Sequence, residues 1–196
     1  HRLKNIKQWS LNELMADLGS HLPVWRTNAQ EELIKRGHQT LDLLQTTLEK
    51  DSKNKSLETW TAWTIGRIKK SHELSEKNLN QKIQSIRIQT HNKIINPDFH
   101  KYFNHPNARI RHEAVMAIRQ LKKSEYVGRL KNLGKIEKDR IVFYSIWGAL
   151  MELCSDSELK HMLQEDASGL RLAALLALLE KDNLPNELVE KLCLNL

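Results

Sequence analysis

"NARIRHEAVMAI", residues 107–118, sets Ile110, Ala114, Ala117 and Ile118 at i, i+4, i+7 and i+8, and Leu121 follows at i+11. At the helical angle of about 100° per residue these side chains fall on one stripe, which predicts an amphipathic helix with a single apolar face. The same stripe returns at Val142, Ile146, Ala149, Leu150 and Leu153. It recurs more loosely from Leu170 (Ala174, Ala177, Leu178), Leu57 (Thr61, Thr64, Ile65, Ile68), Ile86 (Thr90, Ile94) and Trp25 (Ala29, Leu33). The six anchors, residues 25, 57, 86, 110, 142 and 170, lie 32, 29, 24, 32 and 28 residues apart. That period is far longer than a helical turn and suits a two-helix unit with short connections.

The intervals between anchors supply the partner helices. Ser10 with Glu13, and Ser155 with Glu158, have the S-x-x-E form of a capping box, in which hydroxyl and carboxylate satisfy helix amides that have no partner of their own. "LDLLQTTL" (41–48), "SEYVGRLKNL" (124–133) and "PNELVEKLCL" (185–194) read as short amphipathic helices, and "HELSEKNLNQ" (72–81) is the weakest of the set. Trp25 is expected to plug the core of the first unit, with Gly37 in the left-handed position that ends its helix. The fold expected is all-α: a right-handed α–α superhelix of about six helix pairs, forming a single repeat domain over 1–196.

Composition agrees. The 196 residues are 40% hydrophobic and 28% charged, and with only 7 Gly and 4 Pro there is little material for the turns of a many-stranded sheet. A net charge of +7 suits weak nonspecific contact with nucleic acid. Basic and acidic residues nevertheless alternate nearly everywhere, the densest basic runs being "RLKNIK" (2–7) and "RIKK" (67–70), so the charge reads as a solvated surface. Cys154 and Cys193 stand in apolar helical stretches without a C-x-x-C, and are expected to be buried free thiols. No apolar run approaches the roughly 20 residues needed to span a bilayer. The chain begins with histidine, as an excised or processed piece of a larger protein would.

Arginine follows the anchor in four of the six units, at Arg26, Arg87, Arg111 and Arg171, whereas Glu58 and Phe143 take that place in the other two. The expectation is a row of guanidinium groups that bridges adjacent units, with Asn107 and Asp139 capping two of the helices. "NARIRHEAVMAI" and "SGLRLAALLALL" (168–179) resemble the second helices of HEAT or HEAT-like repeats. "PVWRTNAQEELIKRG" (23–37) together with "TWTAWTIGRI" (59–68) resembles the HEAT-like segment of large exported bacterial membrane-bound dehydrogenases that carry a haem-binding domain. That resemblance covers roughly residues 9–180. It implies an exported or periplasmic setting, with a β-propeller before the repeats and a CxxCH cytochrome module after them. Neither is in this sequence, so the dehydrogenase and haem chemistry of such a parent does not transfer to it.

Nothing in the sequence assembles a catalytic set. There is no G-x-S-x-G, glycine-rich phosphate loop or H-E-x-x-H, and no cofactor or metal is expected. His100, His105 and His112 lack the i, i+4 spacing and carboxylate of a helical metal site, and "FNHPNAR" reads instead as a turn with Pro106 near the first helical position. The aromatic residues off the stripe are the candidate interaction surface: Trp60, Trp63 and Arg67 on one helix, Tyr144 and Trp147 on another. The function expected is a noncatalytic spacer or scaffold whose partner is a protein or a neighbouring domain of the same chain. The alternative is a DNA-binding protein like the HEAT-like alkylpurine DNA glycosylases, with Trp60 or Trp63 stacking on a lesion and Glu58 as the nearby acid.

Overall fold

The computed structural model describes residues 3–50, 53–70 and 76–184. Among the described residues every regular element is helical, and there are ten α-helices: α1 (Leu11–Leu18), α2 (Pro23–Arg36), α3 (Leu41–Glu49), α4 (Lys55–Lys69), α5 (Leu79–Asn92), α6 (Ala108–Gln120), α7 (Val127–Ile136), α8 (Arg140–Leu153), α9 (Asp156–Met162) and α10 (Ser168–Glu180). The protein is all-α. None of these helices is long and apolar enough to cross a membrane. The chain divides into two compact units, His1–Asn96 and Pro97–Leu196.

In the first unit α1 packs on α2 and α3 on α4, while the long helices pack in sequence, α2 on α4 and α4 on α5. Their shared core holds Leu14, Leu18, Ala29, Leu33, Leu44, Ile65 and Ile88. Contact between α4 and α5 is close enough that a Cβ built on Gly66 would lie 2.3 Å from Ile88 Cγ2. The face of α5 turned inward is unusually polar, with Gln81, Gln84, Ser85, Gln89 and Thr90 all buried. A segment of 3₁₀ helix, Pro97–Asn104, opens the second unit and packs on both α6 and α7. There α7 packs on α8 and α9 on α10, and the long helices again follow one another, α6 on α8 and α8 on α10.

The stripe that begins at Ile110 is buried as expected. Ile110, Ala114 and Ile118 are fully enclosed, as are Ile146, Ala149 and Leu150 in α8 and Leu170, Ala174, Ala177 and Leu178 in α10. Both capping boxes form, at Ser10 with Glu13 and at Ser155 with Glu158. Asn107 and Asp139 accept from the first amides of α6 and α8. Gly37 ends α2 at φ +68°, a backbone setting that costs glycine nothing and a branched residue much. Cys154 is buried at the end of α8, and burial pushes its thiol pKa up to about 11. Cys193 and the stretch 185–194 lie outside the described residues, as do residues 72–75 of the weakest partner segment.

Three expectations require correction. Trp25 is half-buried, and the fully enclosed side chains of α2 are Ala29 and Leu33, one and two turns further on. Ile94 falls beyond the end of α5 and is exposed. Pro106 precedes the cap residue Asn107 and so stands outside α6. The aromatic cluster of Phe99, Tyr102 and Phe103, with the Tyr126 ring edge-on to Phe99 and tilted against Phe103, supplies core that the helical stripe did not announce.

Candidate functional site

Trp60, Trp63 and Arg67 sit at i, i+3 and i+7 of α4, so one helix face presents all three. Each is held by a partner on another helix. The Trp63 indole N–H donates to Gln84 Oε1 at 2.9 Å, and its ring meets His91 edge-on at 5.4 Å. The guanidinium of Arg26 lies over the Trp60 ring, 5.4 Å from its centroid. Arg67 pairs with Glu31 through both terminal nitrogens, at 2.6 and 3.3 Å, and also donates to Gln30 Oε1 at 3.2 Å. The Arg67 guanidinium holds the Glu31 carboxyl below its usual range. Gln30, Thr59, Trp60 and Trp63 enclose a cleft of about 270 Å³.

Glu58, two residues before Trp60, does not line this cleft. Its carboxylate is buried and accepts from Asn78 at 2.5 Å, Asn80 at 2.8 Å and Gln81 at 3.1 Å, with Lys55 at 3.3 Å. Burial pushes its pKa up, but the amides and the lysine more than offset that, and the net shift is downward. Glu58 is therefore an ionised junction that ties α5 to α4.

In the second unit Tyr144 is exposed and meets Trp147 edge-on at 6.5 Å, one turn along α8. Trp147 is half-buried, and its indole N–H is enclosed without an acceptor. His105 Nδ1 accepts from the Asn107 amide, so this histidine belongs to the turn before α6.

Three of the four arginines after the anchors, Arg26, Arg111 and Arg171, share a geometry that sequence reasoning missed. Arg26 Nη1 donates to the carbonyl six residues back, Ser20, at 2.7 Å. Arg111 Nη1 reaches the carbonyls six and five residues back, His105 at 2.8 Å and Pro106 at 3.0 Å. Arg171 Nη1 does the same to Glu165 at 2.8 Å and Asp166 at 2.6 Å. Each guanidinium thus folds back over the turn that leads into its own helix. Two of them also reach another helix in the manner expected of a bridge: Arg111 through a two-pronged ion pair with Glu137 at 2.7 Å on each prong, and Arg26 through its place over the Trp60 ring of α4. Burial raises the Glu137 pKa, yet Arg111 and the amides of Asp139 and Lys138 carry it below the usual carboxylate range. A spacing of five or six residues from a side chain to a carbonyl is visible in sequence only after the turn has been seen, since nothing marks a carbonyl.

No protein-family model and no curated protein matches the chain.

Proposed function

We propose that this chain is a noncatalytic α-solenoid, a spacer or interaction scaffold built from HEAT-like helix pairs within a larger exported protein. The observation that carries the reading is the order of packing: within each unit the three long helices follow one another, α2 on α4 on α5 and α6 on α8 on α10. Helix pairs that bury their apolar faces only against their neighbours in the chain are the physical basis of such arrays. Two features agree with a scaffold. The cleft beside Trp60 and Trp63 is lined by an amide, a hydroxyl and two indoles, with no carboxylate among them. Glu58, the acid that a lesion-recognising enzyme would need, is engaged by three amide side chains. The setting in an exported redox protein rests on the resemblance of residues 23–37 and 59–68.

The test uses the full chain and alkylated duplex DNA. A scaffold with a charge of +7 binds intact and damaged duplex alike, with Kd on the order of 10⁻⁴ to 10⁻⁶ M, loses that binding steeply as salt rises, and releases no base. Time-dependent base release, or a lesion preference that survives high salt and disappears in Trp63→Ala, would replace this reading with that of a glycosylase.

A further inference from the structure

We infer that a row of three lysines at one end of the first unit, Lys35, Lys70 and Lys93, binds the phosphate backbone of duplex nucleic acid, an assignment that rests on the scaffold function and gives it a second class of partner. The positive charge is not shared between the two units. His1–Asn96 holds 16 Lys and Arg against 10 Asp and Glu, whereas Pro97–Leu196 holds 15 against 14. Nearly all of the net +7 therefore belongs to the first unit, and charge gathered in one half of a chain points to a polyanion.

Within that unit α2, α4 and α5 run parallel with α4 in the middle. Arg26 meets Trp60 and Asn78 meets Glu58 near the helix starts, while Glu31 pairs with Arg67 and the Gly66 carbonyl accepts from Asn92 towards the ends. The three C-terminal ends thus share one edge. Lys35 follows Glu31 by a turn of α2, Lys70 follows Arg67 by a turn of α4, and Lys93 adjoins Asn92, so each helix contributes one lysine. With helix axes about 8–10 Å apart the row is about 20 Å long. All three lysines are exposed, and none of their ammonium groups has a partner among the described residues. The acids of α2, Glu31 and Glu32, are already held by Arg67 and Arg36.

Helix C-termini favour cations for their own sake. The ends of the long helices in the second unit nevertheless form no such row: they carry Lys122, Cys154 and Asp182. Lys70 and Lys93 moreover stand at φ +49° and +58°, left-handed positions that glycine fills at least cost. A linear polyanion suits a line of point charges. Each strand of a duplex sets down a phosphate every 3.4 Å or so along the axis, so a duplex laid along the row brings phosphates to all three lysines. A plane of anionic lipid is matched less well. The first turns of α1 and α3 carry Glu13 and Asp42 to the same end of the unit, where a flat surface would press its own charge against them. The row holds no Trp, Tyr or Phe on which a base could stack, so the contact is with the backbone and independent of sequence.

The experiment follows the fluorescence anisotropy of a short labelled duplex of mixed sequence against the full chain, from about 50 to about 200 mM salt. The expected result is binding with a Kd on the order of 10⁻⁴ to 10⁻⁶ M that falls with salt at a log–log slope of about −3, one for each lysine. The double variant Lys70→Gly with Lys93→Gly brings the slope to about −1 and weakens binding at low salt about tenfold or more. Glycine suits both left-handed positions, so the melting temperature of that variant does not fall. Lys122→Gly, the same change at a helix end outside the row, alters the affinity less than about twofold. No binding at the lowest salt overturns the inference, as does an unchanged slope in the double variant or an equal loss in Lys122→Gly. Vesicles of phosphatidylglycerol and phosphatidylcholine that take up the chain through Lys70 and Lys93, where the duplex does not bind, overturn it in favour of a lipid surface. Base release and lesion preference are read on alkylated DNA and turn on none of these outcomes, so the scaffold reading stands or falls separately.

Discussion

Trp25 and Leu33 share one face of α2 but not one environment. Leu33 is fully enclosed, whereas Trp25 is half-buried with its ring edge-on to His21 at 6.2 Å. Leu33→Ala is therefore expected to cost about 2–5 kcal/mol, the range for emptying a closed apolar site. Trp25→Ala removes a ring that already borders solvent and costs about 1–2 kcal/mol, in proportion to the area it hides. Urea melts of the two variants check the ranking, and a Trp25→Ala loss larger than that of Leu33→Ala contradicts it. The stripe pattern placed both residues in the core because periodicity reports direction from a helix axis. It carries no information on how far a neighbouring element extends. Where α6, α8 and α10 flank one another, the stripe and the burial coincide; at α2 the face continues past the neighbour that covers it.

At the scale of elements, two glycines make opposite predictions. A Cβ on Gly169, near the start of α10, would stand 2.6 Å from the carbonyl oxygen of Gly134 in α7, so Gly169→Ala must push backbone from backbone and is expected to cost about 1–3 kcal/mol. Gly128 in α7 has open space where a Cβ would go, and Gly128→Ala is expected to gain about 0.5–1 kcal/mol by restricting the unfolded chain. Thermal melts that moved both variants in the same direction would refute the packing of α7 against α10. The sequence made most elements legible through caps and stripes: Ser10, Ser155, Asn107 and Asp139 each begin the helix expected of them. What it hid was the polar inner face of α5, where Gln81 donates to the Leu48 carbonyl and Glu58, Gln84 accepts from Trp63 and donates to Asn80, and Gln89 donates to Ser85 and accepts from the Asn96 amide. A polar residue with a partner and one in water look alike in a hydrophobicity pattern. The candidate site was half legible for the same reason: Trp60, Trp63 and Arg67 were found by their helical spacing, while Gln30 and Thr59, the other walls of the cleft, have no periodic mark.

Across the whole molecule the buried carboxylates set the response to acid. Glu58 and Glu137 both titrate below their ordinary value of 4.5 in the folded chain, where burial is outweighed by amides, lysine and arginine. A depressed folded pKa contributes stability that is complete above the unfolded pKa and is lost as pH falls through the folded one. Melting temperatures are thus expected to fall steeply below about pH 4.5, and the double variant Glu58→Gln with Glu137→Gln should start lower and fall less steeply. An unchanged acid slope in that variant would remove these two groups from the account. A different consequence follows from the arginines that fold back over their own turns. Because Arg26, Arg111 and Arg171 satisfy carbonyls only five or six residues behind them, a segment copied from one place in the gene and inserted at another brings its finished turn along. Each of these three turns is closed by a side chain of the helix it leads into and needs no group from elsewhere in the chain.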